Sequence, residues 1–156
     1  MGRDSLALQL SAAGVLPSGT PTSVVAMPLD PVPLAPGLAR RFVNENLSRA
    51  SAAQREAALL ITSELVTSVL LHARTSLEVA VCNVAKDVIL AVIDHDPGDE
   101  REAAKGLRGR GKALVTALAD DYGTVGQGRC RTVWVVLREH GRATCAGAVE
   151  ATTLRS

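Results

Sequence analysis

The residues best suited to chemistry fall in three short segments. In Leu59–His72 (LLITSELVTSVLLH), Glu64, Ser68 and His72 recur every four residues within an otherwise apolar stretch. At helical periodicity this spacing sets a carboxylate, a hydroxyl and an imidazole on one stripe. Such a stripe is costly to bury unless its groups are paired or serve a site. A carboxylate there can take the proton of a nucleophile within hydrogen-bond reach; the plain alternative is a solvent-facing stripe on an amphipathic helix. The second segment, Asp94-His95-Asp96-Pro97-Gly98, follows an apolar run. A carboxylate at a strand end can accept a hydrogen bond from an exocyclic amine, and Gly98 lets backbone approach a ligand. Alone, it reads as an ordinary turn. In the third, Gly109-Arg110-Gly111 opens a helical pattern. Free N–H groups of a first helical turn attract phosphate, and Arg108 or Arg110 could meet its charge.

Other candidates read more simply as structure. His95 lies between two aspartates but has no third or fourth metal ligand nearby in sequence. His72 ends its helix, where the dipole favours a cation. Cys82, Cys130 and Cys145 are widely spaced, form no CxxC and show no activating context for a Cys/His protease. They read as core thiols, and their odd number without a secretory signal is expected of a reducing cytoplasm. Trp134 reads as packing, and Asp99–Arg101 as a solvated loop.

The elements that must position these groups follow from periodicity. Residues 1–21, with Gly14, Pro17, Gly19 and Pro21, are expected to be a flexible leader. Ser23–Leu29 fits a strand that Pro28 places at an edge or terminates. Leu38, Phe42, Val43 and Leu47 recur at helical spacings, and Ser51 is an N-cap for a helix over 52–72. Thr75–Val84 alternates as a half-buried strand, Lys86-Asp87 turns, and Val88–Ile93 fits a fully buried strand. A helix over about 112–120 precedes a short strand within 121–128, and Thr132–Leu137 is a further strand. The expected architecture is α+β: a two-layer sandwich with a mixed sheet and about three helices on one face. Residues 22–140 form the domain and 141–156 a flexible tail.

The 156 residues are one domain's worth. Seventeen basic against 16 acidic side chains leave a formal charge of +1, which argues against a nucleic-acid binder. The hydrophobic content of 47% excludes wholesale disorder. No uninterrupted apolar run reaches the roughly 18 residues of a membrane span. With Phe42, Tyr122 and Trp134 the only aromatics, the core must be aliphatic.

Taken together and in order, the segments resemble the ATP-binding domain shared by gyrase-type ATPases, histidine kinases and bacterial anti-sigma kinases, and within it the small anti-sigma factor/serine kinase group. The matching residues are Ser63-Glu64-Leu65-Val66-Thr67 with His72-Ala73, Asp94-x-Asp96-Pro97, Gly109-Arg110-Gly111-x-Ala113-Leu114-Val115 and Arg131-Thr132-Val133-Trp134. The resemblance implies ATP and magnesium as cofactors, Glu64 as general base on a substrate serine, and Asp94 as reader of the adenine amine. It implies Gly98, Gly109 and Gly111 at the lid and phosphates, and Thr132 near the nucleotide. Implied partners are a sigma factor and an anti-anti-sigma (STAS-type) protein, with a homodimer as the assembly. One departure stands out. Where the family carries a magnesium-binding asparagine, four residues after the glutamate, this chain has Ser68, followed by Val69 in place of the usual alanine. Two readings stay open: a serine kinase in which Ser68 ligates magnesium through its shorter hydroxyl, and a catalytically degenerate interaction module that binds partners without nucleotide.

Overall fold

The computed structural model describes residues 3–16, 23–72, 75–96, 107 and 109–140. Among these, α1 (Arg3–Ala12) leads to β1 (Ser23–Leu29), then α2 (Ala35–Glu45) and α3 (Ala52–His72). Next come β2 (Leu77–Val84), β3 (Asp87–Asp94), α4 (Gly109–Leu118), β4 (Asp121–Gln127) and β5 (Cys130–Leu137). The tail over 141–156 lies outside the described residues.

The fold is α+β, with a five-stranded sheet in the order β1-β2-β3-β5-β4. Every neighbouring pair is antiparallel, so the expected mixed sheet is corrected. The reason is topological. Two-residue loops join β2 to β3 and β4 to β5, and tight hairpins pair strands antiparallel. The helical crossover from β3 through α4 to β4 does set those strands parallel, but β5 lies between them. The first hairpin turns at Ala85-Lys86, one residue earlier than expected, with Ala85 at φ +53°. β1 is an edge strand, where Pro28 removes no ladder bond that the sheet interior needs.

α2, α3 and α4 cover one sheet face. Ala39 and Val43 of α2, Ile61, Leu65 and Val66 of α3 and Val115 of α4 pack there with Val79, Val81, Leu90, Val92, Val133 and Val135. α3 begins where its cap chemistry dictates. Ser51 Oγ accepts from the Gln54 backbone N–H at 3.1 Å, and Gln54 Oε1 accepts from the Ser51 N–H at 2.8 Å. This reciprocal box satisfies two first-turn donors. The buried Gln54 amide then donates to the carbonyls of Lys86 (2.9 Å) and Leu137 (3.0 Å). One side chain thereby ties α3 to the β2–β3 turn and to the end of β5.

The opposite sheet face differs from expectation. The segment read as a flexible leader contains α1, whose Leu6 and Leu10 are buried against Ala80, Cys82, Ile89, Ala91, Ile93, Trp134 and Val136. Consequently β2 is buried along its whole length rather than half-buried. On this face β4 and β5 approach closely: a Cβ added at Gly123 would sit 2.5 Å from Trp134 Cζ2, so only glycine fits.

Candidate functional site

The chain direction brings three element ends to one edge of the sheet. α3 ends just before β2, and Leu77 at the start of β2 pairs with Asp94 at the end of β3. α4 follows β3 and packs against α3.

Within α3 the buried line itself changes character. Ile61 and Leu65 are buried in the core. Seven residues further on, two turns along nearly the same line, Ser68 is half-buried and His72 exposed. Along this line the helix therefore becomes less covered toward its C-terminal half, while Val66 and Val69 beside it stay buried, and Glu64, also half-buried, flanks it. A helix facing a closed core would present aliphatic side chains there; this one presents a hydroxyl and, at the flank, a carboxylate.

Asp94 is fully buried. Its Oδ1 accepts from Thr75 Oγ1 at 2.5 Å and from the Asp96 backbone N–H at 3.2 Å. Its Oδ2 has no hydrogen-bond donor among the described residues, and Arg131 Nη2 stands 3.9 Å away. A buried carboxylate oxygen left without a donor costs on the order of 1–3 kcal/mol or more. One oxygen is thus used to fix the carboxylate and the other is left able to accept from a ligand N–H. The Arg131 guanidinium, whose Nε is likewise buried and unpaired among the described residues, offsets part of the charge burial.

Gly109 (φ +57°), Arg110 and Gly111 open α4, where nothing among the described residues lies within 4 Å of a Cβ added at either glycine. Neither is therefore a packing glycine. Lys112 on the same turn is exposed and able to meet an anion. Gly98 and Arg108 lie outside the described residues.

The element order thus sets Asp94, the C-terminal half of α3 with Glu64 and Ser68, and the start of α4 toward the same end of the sheet. Thr132 is set apart from these groups. It pairs with Ile93 and alternates with Trp134 and Val136, so its buried side chain belongs to the α1 face. Its neighbour Arg131, paired with Asp94, lies on the face that α2, α3 and α4 cover. Sequence reasoning did not single out Arg131 or Thr75 as partners of Asp94; only the strand register reveals them. It also missed a chain on the other face: Glu78 Oε2 lies 3.0 Å from His95 Nε2, and His95 Nδ1 lies 3.6 Å from Cys130 Sγ.

The donor set suits a purine nucleotide at its base end, through the orphaned Asp94 oxygen, and at its phosphate end, through the α4 start. For magnesium the chain offers the Ser68 hydroxyl, a shorter and weaker donor than a side-chain amide.

No known family profile matches the sequence, and no curated protein matches it. The fold is similar to that of a solved structure described as the crystal structure of the RsbU and RsbW domains of Rv1364c from Mycobacterium tuberculosis. The TM-score is 0.58 at 21% identity, over 76% of this chain and 32% of that one, so this chain spans about a third of its length. The likeness carries the architecture alone: over the matched residues the chain shares the α+β fold of that structure.

Proposed function

We propose that this chain is a regulatory protein of the anti-sigma type, built around an ATP site at the Asp94 edge of the sheet. The observation that supports the reading most directly is Asp94 itself: fully buried, anchored by Thr75 and the Asp96 N–H, with one oxygen left for a ligand donor. In this reading Asp94 accepts from the adenine amine, the first turn of α4 holds phosphate, and Ser68 contacts the metal. The nucleotide supplies a transferable phosphoryl group when bound. Glu64 orients the hydroxyl of a partner serine and takes its proton. The partners are a sigma factor and a STAS-type anti-anti-sigma protein.

A second reading, a scaffold that binds partners without nucleotide, is favoured by two observations. Ser68 stands where the resemblance implies a magnesium-binding asparagine, and Arg131 Nη2 already neighbours the Asp94 oxygen that adenine would use. Calorimetric titration with Mg-ATP separates the two. Saturable, magnesium-dependent binding by the native chain, lost in Asp94→Ala with the circular dichroism unchanged, is the expected result. Binding by Ser68→Asn but not by the native chain would establish the scaffold instead. Glu64→Ala should retain nucleotide affinity and lose phosphotransfer to the partner; undiminished transfer would remove Glu64 from the mechanism.

A further inference from the structure

The Glu78–His95–Cys130 chain lies on the sheet face away from the proposed nucleotide site. Glu78 of β2 shares that face with Ala80 and Cys82, and Cys130 of β5 packs against the same cluster. Glu78 is buried, His95 about a third exposed and Cys130 half-buried. The geometry points to a nucleophilic thiol centre, in which Cys130 is activated by His95 and takes hydroperoxides as its reactant class.

The tautomer follows from the partners. Glu78 Oε2, 3.0 Å from His95 Nε2, calls for a proton on Nε2, which leaves Nδ1 as an acceptor toward the Cys130 thiol. The His95 backbone N–H also donates to the Ser76 carbonyl at 3.3 Å, so ring and backbone are both held. A nucleophile within reach of a base, with the base oriented by a third group, is the arrangement that activates thiols. His95 Nδ1 takes the thiol proton, and Glu78 stabilises the resulting imidazolium. The thiolate sulfur attacks the terminal oxygen of a hydroperoxide: the S–O bond forms and the O–O bond breaks. The departing alkoxide or hydroxide takes the proton back from the imidazolium as alcohol or water. Cys130 is oxidised by two electrons to a sulfenic acid and the peroxide is reduced by two.

Cys82 provides an internal contrast. It sits in the same cluster, but burial pushes its thiol up to about 11, which keeps it protonated and inert.

The test treats the full chain with hydrogen peroxide, traps sulfenic acid with dimedone, and reads each cysteine-containing peptide by mass spectrometry. Cys130 should be labelled about tenfold or more faster than glutathione at the same pH, and His95→Gln should remove that excess. Glu78→Gln should slow labelling while Glu78→Asp restores it, which distinguishes a positioning carboxylate from a packing residue. Cys130 labelling no faster than glutathione, or labelling indifferent to His95→Gln in a chain of native circular dichroism, would overturn the assignment.

Discussion

Asp94 and Cys82 are both buried, in unlike surroundings. Asp94 has two hydrogen bonds to one oxygen and a guanidinium near the other. Cys82 lies within the apolar cluster under α1, and desolvation by burial raises its thiol from 9.0 to about 11. The folded chain therefore keeps the Cys82 proton over a range in which the unfolded chain releases it. This contribution is fully present below pH 9 and is lost as pH climbs toward 11, by about 1.4 kcal/mol per unit. Urea-unfolding midpoints at pH 8 and pH 10 should diverge more for the native chain than for Cys82→Ala. At this scale the sequence was half legible. A carboxylate ending an apolar run, followed by Pro97-Gly98, reads alone as a turn, and only the order of the three segments together singles out Asp94. Its partner Arg131 lies across a register that only the folded sheet defines, and a shift of one residue reverses every side chain. That is why Thr132, one position along, was singled out while Arg131 was not.

Most elements were legible for a physical reason. The 52–72 helix carries its own cap, and the Ser51–Gln54 box is written in residues three apart. The β2–β3 hairpin follows from a short loop between apolar runs, and the β4–β5 hairpin from a short loop leading into the apolar Thr132–Leu137 run. α1 was not legible, because a ten-residue helix is marginal alone and draws its stability from what it packs on. Its cover also explains why Glu78, which alternation assigns to solvent, is buried beside His95. Leu10, 1% exposed, should therefore behave as a core residue: Leu10→Ala is expected to cost about 2–5 kcal/mol. Chemical denaturation checks this, and a change below half a kilocalorie would mean that α1 does not dock in solution. Gly123→Ala should also destabilise, by roughly 1–3 kcal/mol, as β4 is forced away from Trp134.

The whole molecule has two unlike poles. At one, the Gln54 amide joins α3, the β2–β3 turn and the end of β5. At the other, α3 is less covered at Ser68, and Asp94 keeps an oxygen without a donor among the described residues. Native-state hydrogen exchange should reflect this polarity, with amides in the central strands near Leu137 protected longer than those in the last turn of α3. Equal protection at both ends would contradict it. Position 54 accordingly admits little variety: its side chain must offer two donors to carbonyls and one acceptor to a helix N–H, and a shorter amide or a carboxylate would release three segments together. Glu64 and Ser68 carry no such structural duty. The chemistry can drift while the frame endures, so a lineage built on this architecture is free to lose an enzyme and keep a protein.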